Sequence, residues 1–345
     1  MSLIDNRTYF VIENSDRSAQ TFIMRIVNFL STLVNFLLFY MIFKHSKKEK
    51  KHSRMVNFLQ SLFFYLAQFH FATADVISIL PFPAIYCNGY TFLGLNSLWL
   101  GCIWIFWFCL FALMMFLVIL IRLKAISRAY ECFDLKLSTY SLITILITLF
   151  VYIPVPYSWL LANQSQDQMR QFVLQYYPNC QKALDIYGIL IFTDPKVLQR
   201  LIISASLVLL VGGSMYMFFC FAIVYEIRQQ GKTMSVKTIK YHLKLLKHIL
   251  IQNFFRGMFI VTPPIFLFKN AFFDPARDTI IFSIIYNAFF VAAPIPCTIV
   301  IFYQNEGYRQ FLKSKLMFWK QKPVVKTSKG ASDMDNVIRR IVPVK

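Results

Sequence analysis

Seven apolar stretches, each long enough to cross a bilayer, constrain this chain more than any other feature. A hydrocarbon core about 30 Å thick takes roughly 20 apolar residues of α-helix. Such stretches run from Thr21 to Phe43, Met55 to Leu80, Phe92 to Ile121, Leu137 to Leu161, Leu198 to Tyr225, His248 to Phe268 and Thr279 to Tyr303. The sixth is the least uniform, because Arg256 interrupts it and Pro263-Pro264 sits near its far end. Backbone polar groups in hydrocarbon must be satisfied within the segment, so these stretches predict an all-α membrane protein, a seven-transmembrane helix bundle. Composition agrees. Apolar residues make up 57 % of the 345 and charged residues 15 %, against about 45–50 % and about 25 % in soluble domains. A soluble enzyme, a disordered chain and a disulfide-rich secreted module are excluded.

Charge gives the orientation. The net charge is +20, which on a soluble chain would suggest nucleic acid. Here the Lys and Arg lie in short runs between apolar stretches, so no nucleic-acid partner is expected. The segments 44–54, 122–136, 226–247 and the tail from Gln304 carry 26 of the 36 basic residues, and the opposite side carries eight. The excess marks the cytoplasmic side. This predicts residues 1–20 as an extracellular N-terminus, 21–303 as the bundle and 304–345 as a cytoplasmic tail. The first 20 residues are polar and the first apolar run is too long for a cleavable leader, so the first span reads as an uncleaved signal-anchor. Within the tail, residues 306–320 alternate apolar and basic, which predicts a short amphipathic eighth helix lying on the lipids of the inner leaflet. Two N-x-S/T sequences, at Asn6 and Asn163, fall on the predicted outer side, where glycosylation occurs.

Enzyme chemistry finds no support. No HExxH, GxSxG or Gly-rich phosphate loop occurs, and the only carboxylates at the spans are Asp75 and, at the end of the fifth, Glu226. A nucleophile with its base, or several metal ligands at depth, would be needed. The seven cysteines include no CxxC pair, so no metal site or cofactor is expected. Cys87 and Cys180 are the cysteines in predicted outer loops. That side is oxidising, so a disulfide between them is expected, two free thiols being the alternative.

Three charged residues lie within the spans. Arg256, about 12 Å from the cytoplasmic start of the sixth by helical rise, must either face the bundle interior as a polar lock or snorkel to the cytoplasmic surface. Arg25 and Asp75 lie at similar depth below the outer ends of the first two spans and could pair. Alternatively Arg25 snorkels to the headgroups and Asp75 faces a wet cavity. Prolines at 154 and 156, 263 and 264, and 294 and 296 predict kinks in spans four, six and seven.

Short motifs sharpen the reading. Met234-Ser235, Thr238, His242, Leu245-Leu246 and Gln252, followed by Pro263-Pro264, form a pattern that resembles the start of span six in nematode serpentine chemoreceptors of classes H and I. Tyr308-Arg309-Gln310-Phe311-Leu312 is similar to the YRxFL that follows span seven in the same group. Tyr177-Pro178-Asn179-Cys180 and Asp194 resemble its second outer loop. The sequence also departs from receptor patterns. Ile121 precedes Arg122 where rhodopsin-like receptors have an acidic residue, span seven has no NPxxY, and Arg256-Gly257 stands where the class pattern has a proline. The resemblance implies a G-protein-coupled chemosensory receptor in the plasma membrane of a sensory cell, in its cilia, binding a small external chemical between the outer halves of the spans. Its heterotrimeric G protein would meet a basic cytoplasmic face that includes Arg122, Arg128, Lys237, Lys240, Lys244 and Lys247. A seven-span ligand-gated odorant channel is the rival reading. It requires the N-terminus inside, which the charge count opposes. A seven-span protein that does not signal is a further alternative.

Overall fold

The computed structural model describes residues 16–45, 51–79, 82–89, 94–127, 135–230, 234–273 and 280–318. The elements, in chain order, are α1 (Asp16–His45), α2 (Lys51–Ala74), β1 (Val76–Ser78), β2 (Ala84–Cys87), α3 (Ser97–Ile126), α4 (Leu137–Tyr152), α5 (Pro154–Leu160), α6 (Gln166–Tyr176), a 3-10 segment (Pro178–Asp185), β3 (Leu190–Ile191), α7 (Pro195–Gln229), α8 (Val236–Phe273), α9 (Ile280–Ala292), α10 (Pro294–Gln304) and α11 (Glu306–Phe318). Five segments are long and apolar enough to cross a membrane on those grounds alone: 18–44, 97–126, 138–160, 195–229 and 284–304. The other two apolar stretches of the sequence fall on α2 and α8, where Gln60, Ser61, Gln68 and His70 and Gln252, Asn253 and Arg256 lower the hydropathy. The fold is an all-α membrane bundle.

Several ends move from their expected places, for local reasons. The second helix stops at Ala74, not Leu80. Asp75 adopts φ +47, a left-handed conformation that ends a helix, and the β-branched Val76-Ile77 then enters β1. The third helix starts at Ser97 rather than Phe92, where the Asn96 side chain accepts from the Trp99 amide at 3.1 Å. In spans four and seven the helical ladder is interrupted at the predicted prolines, with Pro154 opening α5 and Pro294 opening α10, because proline lacks the N–H that would continue it; Ile153 between α4 and α5 keeps helical backbone angles. Pro263 and Pro264 instead lie within α8, which continues to Phe273. The sixth span also begins a dozen residues earlier than expected, at Val236, so α8 is 38 residues long and extends well beyond the apolar run.

A three-stranded antiparallel sheet of order β1-β2-β3 lies at one end of the helices. It was not foreseen. Val76 pairs with Cys87, Ile77 with Tyr86, Ala84 with Ile191 and Ile85 with Leu190. Successive strand residues face opposite sides, and both sides are buried. Ile77, Ala84, Tyr86 and Ile191 pack with Val173, Cys180 and Ala183 of the α6 region. Val76 and Cys87 pack with Ala74 and Leu100, and Ile85 and Leu190 with Leu98 and Val197. We call this the sheet end and the opposite end, with its lysine runs, the basic end.

Without a hydrophobic drive between helices in lipid, packing and interhelical hydrogen bonds hold the bundle. Phe290 of α9 sits against Phe71, Trp104 and Phe108, with ring centroids 4.9, 5.9 and 6.1 Å away. Ser31 donates to the Val291 carbonyl at 3.1 Å, joining α1 to α9. Trp159 Nε1 donates to the Leu98 carbonyl at 2.8 Å, and its indole lies so close to Gly101 that an added Cβ would fall 2.2 Å from the ring. The helix α11 belongs to a separate unit that starts at Asn305. The Asn305 side chain caps it, accepting from the Gly307 amide at 3.1 Å.

Candidate functional site

Two groups of polar side chains are buried inside the bundle, at different depths. The first surrounds Arg256, which is 3 % exposed and so faces the interior rather than snorkelling. Asn253 and Arg256 lie one turn apart on α8 and share a face. The guanidinium donates through Nη1 to Asn253 Oδ1 at 3.2 Å and through Nη2 to Ser61 Oγ at 3.4 Å. It also lies 5.7 Å from the Phe64 ring centroid and 6.0 Å from that of Phe111, within cation–π range. Asn253 Oδ1 accepts from Gln60 Nε2 at 3.4 Å, and its Nδ2 donates to the Tyr216 hydroxyl at 2.5 Å. One amide thus joins α2, α7 and α8. Gln252 Nε2 donates to Gln304 Oε1 at 2.8 Å, tying α8 to α10. Among the described residues no carboxylate pairs with Arg256, and its Nε has no partner.

The second group lies at the sheet end. Asp75 is buried, and its Oδ2 accepts from Thr21 Oγ1 at 2.5 Å and from Asn88 Nδ2 at 3.2 Å. Its Oδ1 is buried without a partner. Gln20 of α1 and Asn287 of α9 both donate to the Val76 carbonyl, at 2.9 and 3.3 Å. The chain doubles back tightly here: the Gly89 amide donates to the Ala74 carbonyl at 2.9 Å, and a Cβ on Gly89 would lie 1.8 Å from the Thr73 carbonyl oxygen. Arg25 is exposed one turn below Thr21 and makes no bond to Asp75 among the described residues. Of the two arrangements open to Arg25 and Asp75, the charge pair does not form, and neutral donors meet the carboxylate instead. Thr21 and Asn88 reach the carboxylate where Arg25 does not.

Below Asp75, more polar atoms are unspent. Gln68 of α2 is 1 % exposed and neither its Nε2 nor its Oε1 has a partner; the same is true of Trp104 Nε1 on α3. By helical rise, Gln68 is about 9 Å from the end of α2 and Trp104 about 10 Å from the start of α3. The two helices run antiparallel, linked by His70 Nε2 and the Leu100 carbonyl at 3.0 Å, so these groups lie at similar depth. Buried polar atoms without partners are rare and call for an explanation.

The remaining expected residues are placed as follows. Cys87 and Cys180 both lie at the sheet end but on opposite faces of the sheet, and no disulfide joins them. Burial pushes the Cys87 thiol up to about 11; the charge of Asp75 adds to this and a hydrogen bond with Ser97 opposes it. Asn163 is exposed in the turn before α6, and Ser165 of the same N-x-S sequence caps that helix, accepting from the Gln168 amide at 3.3 Å. Asp194 caps α7 through the Lys196 amide at 2.9 Å. At the basic end Lys237, Lys240, Lys244 and Lys247 are exposed on α8. Arg122, half-buried at the end of α3, lies near His242, whose pKa is lowered first by burial and then by the Arg122 charge. Asn6 and Arg128 lie outside the described residues. Sequence reasoning found Asp75 and Arg256 by their charge. It missed Gln60, Ser61, Gln68, Asn253 and Tyr216, whose signal was polar side chains inside otherwise apolar stretches.

Comparison with known families places this geometry in context. The sequence model of the family described as serpentine type 7TM GPCR chemoreceptor Srh matches residues 15–318. No curated protein matches the chain.

Proposed function

The chain belongs to the Srh family of serpentine 7TM GPCR chemoreceptors, and from that premise we propose that it detects a small external ligand and activates a heterotrimeric G protein. The ligand site lies between the sheet-end halves of the helices. The observation that carries this reading is the set of unspent hydrogen-bonding atoms there: both amide atoms of Gln68, Trp104 Nε1 and Asp75 Oδ1. Each costs free energy while unpaired, and a ligand that supplies partners recovers it. The aromatic rings of Phe71, Trp104, Phe108 and Phe290 surround this level, which suits a small, largely apolar molecule with a polar group.

In this reading the sheet end faces outward and the basic end faces the cytoplasm, supported by 26 basic residues against eight. Glycans at Asn6 and Asn163 fit the same orientation. The exposed Lys237, Lys240, Lys244 and Lys247, with Arg122 and Arg128, supply a cationic surface for the G protein. Ligand binding favours a state in which α7 and α8 shift at that end. The receptor would act at the plasma membrane of a sensory cell, in its cilia.

The test is calcium imaging of cells expressing the chain across an odorant panel, with and without G-protein depletion. A response that disappears on depletion and changes its ligand profile in Gln68→Leu supports the reading. A response that survives depletion points to an ion channel and overturns it.

A further inference from the structure

A groove of about 450 Å³ lies between α3, α7 and α8, away from the sheet-end ligand level. Glycines hold it open. Gly213 of α7 and Gly257 of α8 both line it, and a Cβ added to either would meet nothing within 4 Å. Its floor is the buried Ala112 and Phe116 of α3. Its rim is Leu209, Met217 and Phe254, exposed to 46, 44 and 69 %. These rim residues lie midway along membrane-crossing helices, so they stand in hydrocarbon. The mouth therefore opens sideways into the bilayer, not toward water.

The chemistry of the walls limits the occupant. The polar side chains on the walls are Tyr152 of α4, Tyr216 and Asn253, and the last two are bonded to each other at 2.5 Å. The rest of the lining is apolar side chains and glycine, which favours an apolar occupant. A neighbouring helix is about 10–12 Å across with its side chains, far broader than an acyl chain. An acyl chain, one methylene wide, is the slimmest apolar occupant that a bilayer offers.

We propose that this groove is a binding site for one acyl chain of a membrane phospholipid. In lipid no hydrophobic drive favours entry. The chain is held because the groove walls touch it on three sides, where an open helix face touches it on one, and dispersion contacts add with each neighbour. The chain lies against the Tyr216–Asn253 bond, which continues to Arg256. Occupancy thus braces the joint between α7 and α8.

The experiment uses the full-length receptor in phosphatidylcholine nanodiscs that carry a photoactivatable diazirine in the acyl chain, with adducts mapped by mass spectrometry. The reference is the open lipid-facing row Leu142, Leu146 and Phe150 of α4, exposed to 56, 58 and 78 %. Expected is an enrichment of adducts of roughly threefold or more, per residue, on 209–217 and 250–257 over that row. Gly213→Phe or Gly257→Phe fills the groove and returns its adducts to the α4 level, leaving α4 unchanged. The wild-type comparison needs neither variant to fold. Equal labelling of groove and row in the wild type overturns the proposal, as does enrichment that persists in a monodisperse filled variant. Absence of lipid adducts in the groove, together with disulfide cross-linking of two receptor copies through Gly213→Cys, would overturn it in favour of a second chain.

Discussion

Arg256 and Asn253 stand one helical turn apart on α8, and the guanidinium donates to the amide oxygen at 3.2 Å. Among the described residues that amide is what α8 itself offers the buried cation; Ser61 and two aromatic faces supply the rest. A mid-membrane arginine costs about 2.5–3.5 kcal/mol even on insertion scales.

The two residues should therefore respond oppositely to apolar substitution. An apolar side chain of similar volume removes that desolvation cost, so Arg256→Leu should leave the thermal midpoint of detergent-solubilised receptor unchanged or raised. Asn253→Leu strands the guanidinium, the Gln60 amide and the Tyr216 hydroxyl, at about 1–3 kcal/mol for each unsatisfied group, and should lower it. A large fall in Arg256→Leu would show that the cation has a counter-charge beyond the groups described above.

Two glycines should behave as opposites. Gly89→Ala places a Cβ 1.8 Å from the Thr73 carbonyl oxygen. Backbone must move, so surface expression should fall sharply, with a cost above about 4 kcal/mol. Gly213→Ala meets open space and gains about 0.5–1 kcal/mol of helix propensity. Cell-surface labelling of the two variants checks both; equal behaviour would contradict the turn that joins Asp75 to Gly89.

At position 75 the backbone is left-handed, a conformation that Asn and Gly tolerate and a β-branched residue does not. Asp75→Asn should retain expression, and Asp75→Val should lose it. Arg25→Ala should be close to neutral. The double change Arg25→Ala with Asp75→Asn should equal the sum of the singles within about 0.3–0.5 kcal/mol, because Thr21 and Asn88, not Arg25, hold the carboxylate. Coupling well beyond that in a thermal-stability cycle would restore the charge pair.

The cysteines offer a further additivity test. Tyr86 and Cys87 alternate across β2, which puts Cys180 with Tyr86 in one core and Cys87 with Ala74 and Leu100 in another. With two separate cores the stability losses of Cys87→Ser and Cys180→Ser add. Equal losses that do not add would establish the disulfide. Burial keeps the Cys87 thiol protonated until pH approaches about 11, and the thiolate is the reactive form. Maleimide labelling of Cys87 should therefore be slow at pH 7 and quicken as pH rises.

The sequence alone determined the number of crossings, the charge asymmetry between their ends, the helix interruptions at Pro154 and Pro294, and the presence of two expensive charges. Each of these depends on residue identity summed along a local stretch: transfer free energy for the spans, a missing N–H for the interruptions. Tertiary structure decided the rest. Whether Arg256 snorkels or turns inward depends on how α8 is rotated against α2 and α7. Whether Asp75 meets Arg25 or Thr21 depends on a difference of one turn in register between α1 and α2. The sheet was hidden because both its faces are apolar, so its two-residue period left no mark in a stretch that already reads as apolar. The groove is lined by two glycines 44 positions apart in the sequence, Gly213 and Gly257, a juxtaposition set by packing between α7 and α8 and carried by no local pattern.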